Sequence, residues 1–343
     1  MIPAPDSDEE VLHGGPDARG AARHDFSTNA NACGPCPTAL RALAQADASR
    51  YPDPRHTALR ESLGRFHAVA PERIVIAASA SEFIARITAA VAQQGGREVW
   101  LPRHSYGDYG RAAAAWGLDL RREPESPAGC ALAWCCDPSS PLGQVQPGLG
   151  TLVDALAITT PCVLDLAYEA LRLEGRLDLS AAQKDRVWQL WTPNKALGLT
   201  GVRAAYAIAP LAATGMVQRL ARLVPSWPLG AHGVALLAAW TLPETQDWLS
   251  SSRDRLRHWK REQEALCAAM GWSVLPSVAN YFCARPDVPH APRSAALREA
   301  GVQLRDARSF GLAGHVRLAV LPPASQAALA RSWASHRSMA IRF

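Results

Sequence analysis

A repeating alternation of short apolar runs and helical stretches occupies the middle of the chain and constrains its fold more than any other feature. The apolar runs lie at about 73–77, 97–101, 130–136, 161–166, 187–192 and 203–208. Continuous apolar runs that alternate with helices are typical of strands buried on both faces of a parallel sheet. The pattern therefore predicts an α/β fold in which a mostly parallel central sheet is sandwiched by helices.

The segments on either side of this alternation differ from it in composition and periodicity, which predicts that the chain has three parts. Residues 1–36 are rich in Gly, Pro, Asp and Asn without periodicity, so they are expected to form an extended N-terminal arm. Helical spacing begins at Pro37, and residues 37–240 are predicted to form a large α/β domain. Residues 241–343 are predicted to form a smaller α+β domain. The elements expected there are helices over Pro243–Met270, 292–300 and Pro323–His336 and strands over Trp272–Leu275, Asn280–Ala284, 302–305 and 315–320.

Composition and charge exclude several classes of protein. Apolar residues make up 48% of the chain and charged residues 20%, so a disordered protein is excluded. The 36 Lys and Arg residues barely exceed the 31 Asp and Glu residues and form no dense run, which argues against a nucleic-acid binder. The N-terminus lacks a signal-peptide pattern and no window has the ~18 apolar residues of a membrane span, so we expect a cytoplasmic protein without a membrane partner.

The eight cysteines fit a reducing compartment better than a disulfide scaffold, because several lie inside apolar runs where a thiol acts as a small hydrophobic group. Cys33-Gly-Pro-Cys36 has the spacing of half a metal or redox site. No second pair in the sequence completes it, so we favour an ordinary turn at this position and expect no metal.

The stretch with the clearest chemical use is Lys195-Ala-Leu-Gly198-Leu-Thr-Gly201-Val-Arg203, which follows the apolar run at 187–192. Glycines allow the backbone to bend sharply and to approach a bound group closely. The guanidinium of Arg203 is suited to phosphate or another anion, and a desolvated lysine can form a Schiff base with a carbonyl compound. The alternative is that Lys195 is a solvated residue at a strand end.

A second polar cluster ends the apolar run at 161–166. In Cys162-Val-Leu-Asp165-Leu-Ala-Tyr168, the carboxylate of Asp165 terminates a hydrophobic strand, which is costly unless a cation accompanies it. A protonated heterocyclic nitrogen would serve as that cation, and Tyr168 offers a phenol to the same place. The alternative for Asp165 is to cap the helix that follows.

Together these motifs carry a resemblance that extends over nearly the whole chain. The sequence resembles the pyridoxal-phosphate enzymes of aminotransferase fold type I, and within them the group of histidinol-phosphate aminotransferases and cobalamin-pathway threonine-phosphate decarboxylases. The resemblance implies the fold type I architecture and pyridoxal 5'-phosphate as the cofactor. It implies cofactor-binding roles for Tyr51, Ser79, Ala80, Ser81, Tyr106, Ser140, Asp165, Tyr168, Thr192, Lys195 and Arg203.

Several of these implied roles concern the cofactor ring. Lys195 would be the catalytic residue that binds the cofactor covalently. Asp165 would pair with the ring nitrogen, and Tyr168 would hydrogen-bond the phenolic oxygen. Tyr106, in the segment Ser105-Tyr106-Gly-Asp-Tyr109, would stack on the ring.

Other implied roles concern the cofactor phosphate. Ala77-Ala-Ser79-Ala-Ser81-Glu82 matches the family's phosphate-binding turn, where backbone N–H groups at a helix N-terminus hold the anion, and Arg203 would bind it as well. The tyrosine of Tyr51-Pro would reach the cofactor phosphate of a neighbouring subunit. The resemblance therefore implies a homodimer.

The sequence departs from the family pattern at three places. Ser140, in Asp137-Pro-Ser139-Ser140-Pro-Leu-Gly143, stands where the family has an Asn that touches the phenolic oxygen. Ala77 and Ser79 stand where the phosphate turn has glycines, and Asn194 stands where a Ser usually precedes the lysine.

The arm and the small domain are implied to bind the substrate. Gly301-Val-Gln-Leu-Arg305-Asp306 and the following strand with Arg317 resemble the family's closing signature, in which Arg317 would bind the α-carboxylate. His13-Gly-Gly followed by Asp-Phe-Ser-Thr-Asn29 resembles the opening of the cobalamin-pathway enzymes, whose arm covers the active site. His13, Asn29, Arg305 and Arg317 are therefore candidate substrate-binding residues, with a mobile surface position as the alternative for His13.

Two reactions stay open for such a site. If Arg317 holds the carboxylate in the ring plane, the Cα–H bond breaks and Lys195 moves the proton, which is transamination; if the carboxylate is out of the plane, CO₂ leaves. The arm favours a threonine-phosphate decarboxylase of cobalamin biosynthesis, with a small phosphorylated amino acid as substrate. A histidinol-phosphate aminotransferase or a related class I/II aminotransferase is the alternative, and a non-catalytic relative that binds the cofactor or an anion is a remote one.

Overall fold

The structure is a computed structural model that describes the backbone of residues 14–337 and the side chains of residues 14–335. Its helices are α1 Pro37–Ala44, α2 Thr57–His67, α3 Ala80–Gln93, α4 Gly107–Ala115, α5 Leu149–Ala155, α6 Ala181–Lys184, α7 Pro193–Ala196, α8 Thr214–Leu223, α9 Ala231–Trp240, α10 Pro243–Ala269, α11 Ser294–Glu299 and α12 Pro323–Arg337. Its strands are β1 His24–Asp25, β2 Ile74–Ala77, β3 Glu98–Leu101, β4 Asp119–Arg122, β5 Leu132–Cys136, β6 Cys162–Asp165, β7 Trp188–Trp191, β8 Ala205–Ile208, β9 Ser273–Val274, β10 Tyr281–Arg285, β11 Val302–Gln303, β12 Arg305–Asp306 and β13 Val316–Ala319.

The large sheet has seven strands in the order β2-β8-β7-β6-β5-β3-β4. Only β8 runs antiparallel to its neighbours among these strands, so the sheet is mostly parallel. Side chains alternate between two buried layers: Val99 and Leu101 pack with α3 and α4, whereas Trp100 between them packs with α5. The predicted α/β architecture, with a sheet sandwiched by helices, is confirmed, and each of the six apolar runs contains a strand.

The seventh strand, β4, was not predicted from the sequence. Its residues Asp-Leu-Arg-Arg pair with β3 alone, at the edge of the sheet. Three of the four residues are exposed, and Leu120 keeps 42% of its surface exposed. An edge strand of this kind needs no apolar run, because its outer side faces solvent.

The C-terminal part contains an antiparallel sheet in the order β12-β13-β10-β9, with α10 and α12 packed together beside it. The sequence predicts one strand at 302–305, but the structure divides this stretch. Val302–Gln303 pairs with β1 of the arm, whereas Arg305–Asp306 pairs with β13. The arm therefore contributes a strand where none was predicted, and the fully buried Phe26 packs in the same hydrophobic core as Val302.

None of the helices in the described part of the chain combines the length and the apolar character needed to cross a bilayer. Cys33 and Cys36 are free thiols in the turn before α1, where Cys36 is buried in the hydrophobic core. Over residues 14–335, His, Cys, Asp and Glu side chains form no group of three that could hold a metal ion.

Candidate active site

A cavity at the carboxyl edge of the large sheet collects most of the predicted site residues. Strands β5, β6 and β7 are parallel neighbours, so the loops that leave them open on the same edge, which is where α/β sheets bind ligands. The cavity has a volume of about 230 Å³. The predicted residues that line it are Asn29, Ser79, Ala80, Ser81, Tyr106, Ser140, Asp165, Tyr168, Thr192, Lys195, Arg203, Arg305 and Arg317.

The N-terminus of α3 presents hydrogen-bond donors suited to an anion. Ser79 Oγ accepts the N–H of Glu82 at 3.1 Å, and Glu82 Oε2 accepts the N–H of Ala78 at 3.2 Å. This reciprocal cap holds the turn without the glycines of the family pattern. Ala80 and Ser81 belong to the first helical turn, whose N–H groups have no acceptor within the helix and carry the positive end of the helix dipole.

The turn after β7 adds three more polar groups to the cavity. The buried Thr192 Oγ1 has no hydrogen-bond partner in the described part of the chain. The side-chain amide of Asn194 donates to the carbonyl oxygens of Thr200 and Val202, at 3.5 and 3.4 Å, and so braces the loop between Lys195 and Arg203. The departure from Ser at position 194 thus has a structural role. Arg203 lies exposed at the rim.

Asp165 lies at the end of β6 and is almost fully buried. Its Oδ1 accepts the N–H of Ala167 at 2.9 Å, and its Oδ2 accepts the hydroxyl of Tyr109 at 2.6 Å. Burial raises the pKa of the Asp165 carboxyl, while these two hydrogen bonds and the Lys195 ammonium counteract that rise. A further cation in the cavity would favour the ionised carboxylate.

Lys195 and Tyr168 share the centre of the cavity. The Nζ atom of Lys195 lies 5.3 Å from the centre of the Tyr168 ring. The Tyr168 hydroxyl accepts a hydrogen bond from the side-chain amide of Asn29 at 3.4 Å. Tyr106 and the buried Ser140 complete this region, and burial raises the pKa of the Tyr106 phenol, which therefore stays protonated.

Two arginines face the cavity from the four-stranded antiparallel sheet. Arg305 and Arg317 are directly opposite each other in the register of the antiparallel strands β12 and β13, and both are buried. Their guanidinium carbons lie 5.1 and 5.4 Å from the centre of the Phe310 ring. Burial, and second the charge of Arg317, lower the pKa of Arg305 to about 10. Like charges opposite each other destabilise a strand pair, and a bound anion would offset that repulsion.

Residues 27–31 connect the Lys195 turn to the antiparallel sheet. The N–H of Asn31 donates to the carbonyl oxygen of Lys195 at 2.9 Å, and its side-chain amide donates to that of Ala196 at 3.0 Å. From the other side, the Asn280 side chain donates to the carbonyl oxygen of Asn29 at 3.4 Å. Residues 27–31 therefore lie between the Lys195 turn and the residue before β10, which is why Asn29 reaches the cavity.

Two predicted residues are not placed in the cavity. Tyr51 lies outside it with 76% of its surface exposed, stacked on Trp227 at a ring distance of 4.3 Å. A role for Tyr51 in a neighbouring subunit stays a prediction. His13 lies outside the described residues.

Sequence reasoning assigned no role to three residues that the structure brings to the site. Tyr109 donates to Asp165, Phe310 contacts both arginines, and the Ser27 carbonyl oxygen accepts a hydrogen bond from Arg317 at 3.2 Å. A signal existed for Tyr109, because it follows Tyr106 by three residues at the start of a helix and so lies on the same face. No comparable signal existed for Phe310, whose position depends on tertiary packing.

The donor set of this cavity fits pyridoxal 5'-phosphate. The N-terminus of α3 and Arg203 would hold the phosphate, and the unpartnered hydroxyl of Thr192 is a buried polar atom that such a ligand would satisfy. The lining also offers a carboxylate, a lysine amine and a phenol, from Asp165, Lys195 and Tyr168, which are the groups expected to bind the ring nitrogen, the aldehyde carbon and the phenolic oxygen. The fold and the site together define the class of pyridoxal-phosphate-dependent enzymes.

The family follows from comparison with known proteins. Residues 24–332 match the model of the family "Aminotransferase class I and II", and the chain belongs to that family. It is 28% identical over 318 residues to histidinol-phosphate aminotransferase 1 of Bradyrhizobium diazoefficiens, which covers 86% of this chain and 87% of the relative.

Solved structures support the same fold. The histidinol-phosphate aminotransferase of Sinorhizobium meliloti in complex with pyridoxal-5'-phosphate superposes with a TM-score of 0.76 at 22% identity, covering 90% of each chain. The L-threonine-O-3-phosphate decarboxylase of Porphyromonas gingivalis superposes with a TM-score of 0.71 at 21% identity, covering 88% of this chain and 95% of the other. The predicted fold type I architecture and pyridoxal-phosphate dependence are confirmed.

Proposed function

We propose that this enzyme is an aminotransferase for a small phosphorylated amino compound, with histidinol phosphate as the preferred amino donor. The relatives named histidinol-phosphate aminotransferase cover most of both chains and favour this function over the decarboxylase expected from the arm. The observation that carries the substrate class is the cross-strand pair of Arg305 and Arg317 at the cavity.

The arginine pair argues for a dianionic substrate group. Two buried guanidinium groups that repel each other form a site that a bound anion would stabilise. A phosphate or a carboxylate can accept paired hydrogen bonds from each planar guanidinium. The same pair would receive the phosphate of histidinol phosphate in one half-reaction and a carboxylate of the keto-acid acceptor in the other.

The chain's own residues would then divide the chemistry among them. Pyridoxal phosphate, when bound, supplies an electron sink for the bond that breaks at the substrate Cα. Asp165 would hold the proton on the ring nitrogen, and Tyr168 would donate to the phenolic oxygen. Lys195 Nζ would take the Cα proton and return it to the cofactor carbon on the other side of the substrate nitrogen, as transamination requires. The buried Ser140 and the arm residue Asn29 would help to exclude water from this step.

Threonine-phosphate decarboxylation is the second candidate, and the position of the arm favours it. Gly14 lines the cavity, and the N–H of Gly15 donates to Ser27 Oγ at 2.8 Å. A Cβ at Gly14 would lie 2.2 Å from the Ser27 carbonyl oxygen, so the close approach requires glycine. This docking brings the start of the described chain to the substrate region.

The two candidates are separated by their products. Holoenzyme is incubated with histidinol phosphate and 2-oxoglutarate, and glutamate is measured; in parallel it is incubated with threonine phosphate without a keto acid, and CO₂ is measured. The proposal expects glutamate and no CO₂, both lost in Lys195→Ala. Release of CO₂ from threonine phosphate, without glutamate formation from histidinol phosphate, would overturn it in favour of the decarboxylase.

We also propose a homodimer in which Tyr51 serves the partner's site, supported by its exposure beside Trp227. Lys195→Ala and Tyr51→Ala subunits, each inactive alone, are unfolded, mixed and refolded together. Hybrid dimers would contain one intact site, so about a quarter of the wild-type activity is expected at equal mixing. No recovery of activity in verified hybrids would refute the shared site.

A further inference from the structure

We propose that Tyr109 is a positioning residue for cofactor binding, which acts by holding the carboxylate of Asp165 through its phenolic hydroxyl. The inference rests on the proposed pairing of Asp165 with the cofactor ring nitrogen. It adds a residue that does not line the cavity and that the motifs of the sequence left without a role.

The first observation is the geometry of the hydrogen bond. Tyr109 donates to Asp165 Oδ2 at 2.6 Å, and both groups are buried, so water does not compete for the bond. A charge-assisted bond of this length is among the stronger hydrogen bonds in proteins. With the Ala167 N–H on Oδ1, each carboxylate oxygen has one fixed donor, and the remaining lone pairs are directed by these two contacts.

The second observation is how rigidly Tyr109 is held. Its ring is stacked on that of Trp134, with centroids 4.3 Å apart and planes inclined by 9°. Tyr106, which lines the cavity, meets the Tyr109 ring edge-on at 5.7 Å. The aromatic rings therefore fix the hydroxyl in place, and the same residue supports both the carboxylate and the ring expected to stack on the cofactor.

The electrostatic setting makes the donor necessary. Burial raises the pKa of Asp165, and the Tyr109 hydroxyl is the largest of the contributions that lower it again. Burial, and second the Asp165 charge, raise the pKa of Tyr109 well above its usual value, so the phenol keeps its proton and always donates. The other titratable groups that face Asp165 are Lys195 of α7, Asp108 of α4 and Cys136 of β5. Asp108 disfavours its ionisation, whereas the Tyr109 hydroxyl, the Ala167 N–H and Lys195 support it. Burial, and second the Asp165 charge, raise the pKa of the Cys136 thiol, which therefore stays neutral.

Replacement by phenylalanine isolates the hydroxyl. Tyr109→Phe keeps the stacking on Trp134 and removes only the donor to Asp165. We expect pyridoxal phosphate to bind about tenfold more weakly near neutral pH, as for the loss of one hydrogen bond to a charged group. Cofactor affinity should fall on the acid side of its pH profile, which we call the acid limb. In Tyr109→Phe this limb should lie about one pH unit higher, because the carboxylate of Asp165 then takes up a proton at a higher pH. Affinity is measured at each pH from the quenching of tryptophan fluorescence as the cofactor is added.

Control variants separate positioning from packing. Trp134→Phe weakens the stacking and keeps the hydroxyl, so it should lower stability while the acid limb stays in place. Site-specific 3-fluorotyrosine at Tyr109 keeps the shape and makes the phenol a stronger donor, so the acid limb should move down. An acid limb that is unchanged in both Tyr109→Phe and the fluorotyrosine protein would overturn the inference.

A second experiment tests the role of Tyr109 separately from the proposed pairing of Asp165 with the ring nitrogen. In holoprotein made with ¹⁵N-labelled pyridoxal phosphate, the nitrogen chemical shift reports whether the ring nitrogen carries a proton. Asp165→Asn should remove that proton, and Tyr109→Phe should change the pH dependence of the nitrogen shift, because without the phenol the Asp165 carboxylate takes up a proton at a higher pH. If Asp165→Asn leaves the shift unchanged, the proposed ring placement fails. If Asp165→Asn changes it and Tyr109→Phe matches wild type over the whole pH range, the role of Tyr109 alone fails.

Discussion

The cross-strand arginines give a prediction in which stability and substrate binding respond differently to one substitution. Arg317→Met removes one of two like charges that face each other across β12 and β13. Relief of that repulsion is worth about 0.2–1 kcal/mol. The substitution also removes the hydrogen bond from Arg317 to the Ser27 carbonyl oxygen at 3.2 Å, which is worth about 0.5–1.5 kcal/mol. The two effects oppose each other, so the free energy of unfolding should change by no more than about 1 kcal/mol.

Substrate binding should respond far more strongly. A guanidinium that makes charge-assisted hydrogen bonds to phosphate contributes about 1.5–3 kcal/mol, so affinity for the phosphorylated substrate should fall roughly 10- to 150-fold. The assay compares the KM for histidinol phosphate with the free energy of unfolding of holoenzyme in denaturant. Arg222→Met is the matched control, because Arg222 is exposed on α8, and it should change neither quantity.

The reasoning is refuted by the reverse pattern. If Arg317→Met lowers the free energy of unfolding by several kcal/mol while the KM stays at the wild-type value, the guanidinium is a structural charge and the pair is not a substrate site. A rise in KM with little change in stability is the expected result. Inorganic phosphate gives a second check, since it should compete with substrate in wild type and much less in the variant.

Further expectations concern stability. Asp137→Ala removes the buried carboxylate that accepts a hydrogen bond from the buried Arg172, so denaturant unfolding should show a loss of about 3 kcal/mol, and less in Asp137→Asn. Burial lowers the pKa of His67 to about 4, against 6.5 in the unfolded chain, so the unfolded state binds the extra proton between these values. The free energy of unfolding should therefore fall as the pH drops below 6.5, by up to roughly 3 kcal/mol near pH 4, and His67→Leu should flatten this dependence. Gly198 has a φ of +66°, and a Cβ there would lie 3.0 Å from the Cα of Gly34. Gly198→Ala should therefore lower the melting temperature and speed amide exchange in the arm, whereas an unchanged melting temperature would contradict the close approach.

The sequence predicts those parts of the fold that have a local chemical pattern. Strands buried on both faces must be continuously apolar, so β5 and β6 can be identified in the sequence as apolar runs. The edge strand β4 cannot be identified in this way, because residues Asp119–Arg122 are mostly exposed and their polar sequence is typical of a loop. The strand β1 is missed for a similar reason, since two arm residues gain their partner only from a segment almost three hundred positions away.

The same distinction holds for the site. Lys195, Asp165 and Arg317 could be found because each is an unusual residue beside an apolar strand. The register that sets Arg305 opposite Arg317 could not be found, because a shift of one residue would point either side chain to the other face. The bond from Tyr109 to Asp165 depends likewise on how α4 packs on the sheet, which no local pattern encodes.

The most direct test of the account is to identify the residue that holds the cofactor. The chain contains only the lysines Lys184, Lys195 and Lys260, so the assignment is unambiguous. Borohydride reduction of the holoprotein fixes pyridoxal phosphate to the amine that holds it, and peptide mass spectrometry locates the added mass. The account predicts that the added mass is found on Lys195 alone and is abolished in Lys195→Ala but not in Lys184→Ala. Added mass on Lys184 or Lys260, or none on a fully loaded protein, would contradict it.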